Sequence, residues 1–167
     1  MRDEDGFAEF ATANARRLRH AARLLTGDDG RAEDLLQTAL ARAYLRWDRI
    51  RADDPTAYVR RVLYTAHVDW WRRRWRHEYP TAELPDVPAA GDHAAQTVER
   101  DRLHAALAGL SPRERAVVVL RFYEDLGERE TAAALGIAVG TVKSTCSRAL
   151  AKLRVSPLLA DAAKEAR

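Results

Sequence analysis

ERETAAALGIAVGTVKSTCSRALAKLR, residues Glu128 to Arg154, decides how the rest of the chain is read. The run predicts a short helix over Glu128–Leu135, a stop at Gly136, and a second helix starting near Val139 or Gly140. Gly136 suits the left-handed conformation that closes many helices. Ile137 plugs the corner. Val142, Cys146, Leu150 and Leu153 recur at helical spacing and predict the buried stripe of the second helix. Lys143, Ser144, Ser147, Arg148 and Lys152 fall off that stripe, and no carboxylate lies between Ile137 and Pro157. One apolar side to lock a helix pair and one cationic side for a major groove are what a helix-turn-helix DNA reader needs. An ordinary helical hairpin with a solvated basic face fits the same pattern.

Helical signals continue outward on both sides. Ser111-Pro112-Arg113-Glu114 carries a serine N-cap, a first-turn proline and an acid at the third position. The helix behind it carries Val117, Val118, Leu120, Arg121 and Phe122, and another ends at Gly109. Nearer the N-terminus, helices are expected over Asp5–Leu25, Arg31–Trp47 and Thr56–His77. Leu36, Leu40, Ala43, Tyr44 and Trp47 mark the inner side of the second of these. RIRADDP, Arg49 to Pro55, reads as a loop, with Asp54 capping the helix that follows. Tyr79 to Asp92 holds three prolines and no cation, the composition of an extended linker. The expected fold class is all-α. A helical domain at 1–78 and a helix-turn-helix domain at 97–155 are joined by a flexible linker at 79–96 and followed by a tail at 156–167.

Composition narrows the function classes. The 167 residues are 47% hydrophobic, enough for real cores, and carry a formal charge of only +3. A polyanionic partner must therefore be argued from the distribution of charge. The single cysteine, Cys146, excludes an intrachain disulfide. The five histidines form no metal-binding spacing, and neither a phosphate loop nor a nucleophile elbow occurs. No catalytic residue, metal, cofactor or small-molecule substrate is expected. The acidic N-terminus lacks a signal-peptide core and no apolar run reaches membrane-spanning length, so a cytoplasmic protein without membrane insertion is expected.

A second basic surface ends the third helix. Trp70 to Arg76 packs four arginines and three tryptophans into one segment. Arginines neutralise phosphates and flat rings stack on unpaired bases. Other readings are rings turned inward with arginines solvated, or a basic helix lying on an anionic membrane. Trp70 continues the apolar stripe and is expected in the core.

Three segments together, AEDLLQTALARAYLRW at Ala32–Trp47, DWWRRRWRHEYPTAELPD at Asp69–Asp86 and LGIAVGTVKSTCSRALAKLR at Leu135–Arg154, resemble the extracytoplasmic-function sigma factors of the sigma-70 family, most of all their actinobacterial sigma-E-like subgroup. The resemblance implies a non-catalytic polymerase subunit. Its first domain would bind the β′ clamp helices of core RNA polymerase and open the −10 element. Its second would read −35, with the β flap as a further polymerase contact. Matching family positions puts polymerase binding on Asp34, Gln37 and Thr38, with Thr38 where many relatives have glutamate. Promoter −10 contacts fall on Arg60, Arg61, Thr65, Arg72, Arg73 and Arg76, beside the loop where the family flips a base. Many relatives carry asparagine at the Thr65 position. The −35 contacts fall on Lys143, Ser144, Ser147 and Arg148, with Lys152 serving a phosphate or only solvent. Relatives often have arginine at the Thr145 position, so a phosphate contact is expected to be lost there. An anti-sigma factor is a further possible partner. The alternative is a helix-turn-helix regulator that never enters polymerase.

Overall fold

The computed structural model describes residues 3–77 and 96–157. Among these residues the structure is helical, with no strand. The expected linker at 79–96, except Gln96, and most of the tail, 158–167, lie outside them.

The first domain is a bundle of α1 (Glu4–Thr26), α2 (Asp29–Leu45), the one-turn α3 (Trp47–Ile50) and α4 (Pro55–His77). Local chemistry sets the helix ends. Asp3 caps α1 by accepting from the Gly6 N–H at 3.0 Å. Gly27 closes it in the left-handed conformation, φ 70°. Asp28 then accepts from the Arg31 N–H at 2.7 Å, so α2 starts two residues before the sequence predicts. Asp54 caps α4 through the Ala57 N–H at 2.9 Å, as its position before Pro55 predicts. Of the segment expected as a loop, Arg49 to Pro55, the first two residues belong to α3, which follows a break at Arg46, and Pro55 starts α4.

Leu18, Ala21, Ala22 and Leu25 of α1 meet Leu36, Ala39 and Ala43 of α2 and Val59 and Leu63 of α4 in the core. Each large aliphatic side chain so buried contributes about 1.5–3 kcal/mol. Phe7, Phe10, Tyr44 and Trp47 close the N-terminal end, with Phe7 edge-on to both Tyr44 and Trp47.

The second domain comprises α5 (Gln96–Ala108), α6 (Pro112–Val118), a π-helical turn at Val119–Tyr123, α7 (Glu128–Leu135) and α8 (Val139–Arg154). The Ser111 capping box is complete. Its hydroxyl accepts from the Glu114 N–H at 3.2 Å, and the Glu114 carboxylate accepts from the Ser111 N–H at 2.9 Å. The π turn is unforeseen in the sequence; it is marked by the Glu124 N–H donating to the Val119 carbonyl at 3.0 Å. Gly136, φ 65°, joins α7 to α8.

The two domains pack directly on each other. α4 lies against α6 and α7, and α1 against α5, α6 and the π turn. One hydrophobic core runs through both, so that Leu107, Leu110, Ala116 and Leu120 join the cluster begun by α1, α2 and α4.

Candidate nucleic-acid interface

The helix-turn-helix is held by Val117, Ala132 and Val142, with Leu135, Ile137, Val139 and Cys146 packed against them. The inner face of α8 is Val142, Thr145 and Ala149. That is one residue off the stripe Val142, Cys146, Leu150, because α6 and α7 both press on α8 and shift its buried arc. Thr145, where relatives often have arginine and the loss of a phosphate contact is expected, is 1% exposed and faces the core.

Lys143, Ser144, Ser147 and Arg148 share the exposed side of α8. Their internal ties are slight. Ser144 Oγ donates to the Thr141 carbonyl at 3.2 Å, Arg148 reaches Thr145 Oγ1 at 3.5 Å, and Lys143 lies 3.6 Å from Glu128 of α7. A surface pair of that length is worth under about 1 kcal/mol. Lys152 is placed differently: its ammonium donates to Glu114 Oε2 at 2.8 Å, joining the end of α8 to the α6 capping box. Burial disfavours the Glu114 carboxylate, but Lys152 and the Ser111 N–H outweigh it and hold the pKa below its ordinary value.

On α4, Arg61, Arg72 and Arg73 are exposed. Arg73 Nε donates to the Asp69 carbonyl at 3.4 Å, and Arg72 lies 3.8 Å from the Asp69 carboxylate. Thr65 Oγ1 donates to the Arg61 carbonyl at 2.7 Å, back into its own helix. Arg76 is at the end of α4, outside the residues whose side chains are described. Trp70 is 40% exposed rather than in the core. It meets Trp71 edge-on at 4.9 Å and carries the Arg31 guanidinium 5.2 Å from its ring centre. The α2 face opposite supplies the Arg31 guanidinium, and a cation over an indole ring is favourable without full burial.

Asp34, Gln37 and Thr38 are exposed together on α2. Asp34 and Thr38 also line a cleft of about 390 Å³ whose other wall carries Trp70, Trp71 and Arg73 of α4. The α2 segment with Asp34 and Thr38 and the tryptophan–arginine segment of α4, read separately from the sequence, thus border one cleft.

Arg60 is the exception among the basic residues of α4. Its side chain is 17% exposed, and Nη2 lies 3.2 Å from Glu124 at the end of the π turn. Glu124 is 2% exposed and also holds Arg17 of α1 at 2.8 Å. Nearby, Arg115 of α6 donates to the Leu25 carbonyl at 2.7 Å and the Leu107 carbonyl at 2.9 Å. Both carbonyls belong to last turns, of α1 and α5, where helices leave acceptors unsatisfied and the dipole is negative. Burial brings the Arg115 pKa down to about 10, and these two helix ends compensate the charge. His67 of α4, 3% exposed, is held neutral by burial, with Arg115 adding to the effect, at a pKa of about 3. Glu124, Arg17 and Arg115 carry no signal in the sequence beyond being charged residues on amphipathic helices.

Among the described residues no group of three His, Cys, Asp or Glu side chains could hold a metal ion. No described helix is long and apolar enough to cross a membrane.

Family models match both domains: Sigma-70 region 2 over residues 10–77 and Sigma-70, region 4 over residues 100–153. The chain is 47% identical over 150 residues to the RNA polymerase sigma-E factor of Streptomyces avermitilis, covering 89% of this chain and 83% of the relative. It is 34% identical to the ECF RNA polymerase sigma factor SigM of Mycobacterium tuberculosis, covering 90% and 76%. Among solved structures it resembles the sigma factor RpoE in complex with the anti-sigma factor NepR from Bartonella quintana. That match has a TM-score of 0.67 and 26% identity, and covers 92% of this chain and 96% of that one.

Proposed function

The chain belongs to the sigma-70 family as an extracytoplasmic-function sigma factor of RNA polymerase, and from that premise we propose how its surfaces divide the work of transcription initiation. Residues 1–78 bind core polymerase at the β′ clamp helices through the α2 face bearing Asp34, Gln37 and Thr38. The same domain takes the −10 element on α4, with Arg60, Arg61, Thr65, Arg72, Arg73 and Arg76 meeting phosphates or bases and the indole rings beside them stacking on unpaired bases. Residues 97–155 read −35 from the major groove with Lys143, Ser144, Ser147 and Arg148. Lys152 reaches a phosphate only by leaving Glu114. Residues 79–96 span the two, and the β flap receives the second domain. Core polymerase supplies the catalytic chemistry in the cytoplasm. An anti-sigma factor is a fitting regulator, since the Bartonella relative is described in complex with one.

The observation that carries this reading is the exposed, carboxylate-free side of α8 paired with a separate cationic, indole-bearing face on α4. A plain helix-turn-helix regulator accounts for the first of these and leaves the second, and the matched length of the first domain, unexplained. Transcription in vitro with purified core polymerase on a genomic promoter library tests it. The double variant D34A/Q37A should bind core more weakly while keeping its helicity. Parental affinity for core in that variant would move the docking surface off this face of α2.

A further inference from the structure

Two guanidinium groups from different helices of the first domain converge on a single oxygen of the second. Arg17 Nη2 of α1 lies 2.8 Å, and Arg60 Nη2 of α4 3.2 Å, from the same atom, Glu124 Oε2. That carboxylate is 2% exposed, and a charge so buried is tolerated only when it is paired. The cationic half of the arrangement belongs wholly to the first domain. α1 and α4 are packed against each other and share that domain's core. The backbone positions of the two arginines are therefore set within that domain.

Two arginines aimed at one anionic oxygen suit a phosphodiester as well as a carboxylate, since the guanidinium fork matches both. Arg60 lies on α4 beside the exposed Arg61 and three turns before the exposed Arg72 and Arg73, with its own side chain turned to the second domain. We propose that Arg17 and Arg60 form a phosphate site for promoter DNA, and that Glu124 is the internal stand-in that fills it while the two domains are closed on each other. The proposal rests on the promoter-binding reading above and adds to it Arg17, a residue of α1 with no assigned contact. It also makes closure and promoter capture mutually exclusive at this site. A phosphate and a carboxylate compete for the same two cations, and each shifts the balance by its own preference for the open or the closed form.

The test uses the full chain, alone and with core polymerase. In holoenzyme, R17A should weaken promoter binding and lower the slope of log K against log salt by roughly one phosphate contact, about 0.7–0.9. In the free protein, E124Q keeps the shape of the side chain and removes its charge. It should bind a fluorescent single-stranded −10 oligonucleotide several-fold more tightly than the parent, and the double variant R17A/E124Q should lose that gain. Parental holoenzyme that binds promoter, with an unaltered salt slope in R17A, overturns this proposal alone, whatever becomes of E124Q. Parental holoenzyme that binds no promoter overturns the functional reading and this site with it.

Discussion

α4 and α8 both present exposed cations, but on α4 one arginine, Arg60, is covered by the other domain, whereas the paired lysine of α8, Lys152, meets Glu114 within its own domain. On α8, Lys143 and Arg148 stand at the surface with only long or weak internal contacts. On α4, Arg60 is drawn under the second domain to Glu124, and His67 two turns further on is buried beside Arg115. A surface built from one short helix pair can be complete within its own domain. A long helix that serves as one domain's core and the other's docking face has part of its polar side covered. The basic face of α8 is presented; that of α4 is partly held.

The largest expected effect comes from removing the arginine that ties the domains together. R115A leaves the Leu25 and Leu107 carbonyls without their donor and opens a cavity at the ends of α1 and α5. A loss of about 3 kcal/mol is expected in chemical denaturation, with a larger radius of gyration by small-angle scattering. Parental compactness in a folded R115A protein would break the comparison, because the packing of α6 on the end of α1 would then not depend on Arg115.

Arg148 sharpens it from the other side. If its guanidinium bonds a −35 guanine, R148A costs roughly 1–3 kcal/mol and relaxes preference at one base pair. Selection of promoter variants by mutant holoenzyme measures this. The same substitution should leave compactness untouched, since Arg148 lies on the open face. A uniform loss over every −35 variant would reduce Arg148 to a phosphate contact.

The smallest effect is set by pH. His67 titrates near 6.5 in the unfolded chain and near 3 in place, so the unfolded chain binds the proton first as pH falls. Its contribution is full above about pH 6.5 and is lost progressively toward pH 3. Between pH 7 and 5.5 the stability should fall by about 1 kcal/mol through this residue. Denaturation midpoints of H67Q compared with the parent over that range measure the difference. An equal slope in both would place the acid sensitivity elsewhere.

Features fixed by near neighbours were legible in the sequence. Gly136, the Ser111–Glu114 box and Asp54 each act within four residues, and the pattern of residues states the geometry. The exposed face of α8 was legible for the same reason, since exclusion of carboxylates is written along one helix. Periodicity gave the inner arc of α8 only to within one position, because it cannot say how many neighbours press on a helix. On α4 periodicity likewise put Trp70 in the core, where it is 40% exposed beneath the Arg31 guanidinium. Arg17, Arg115 and Glu124 meet partners 90 or more positions away or across a domain boundary, and nothing local marks them.

The π turn at Val119–Tyr123 has a consequence for which changes of length the chain can bear. Each residue of an α-helix turns the next side chain by about 100°. Widening one turn to five residues lets Leu120 stay in the core while Phe122 emerges, 58% exposed, and brings Glu124 round to face α1 and α4. Deleting one residue here would restore a regular helix and rotate Glu124 away from both arginines, with every residue of the clasp still present in the sequence. In descent, this segment would accept substitution more readily than a gap.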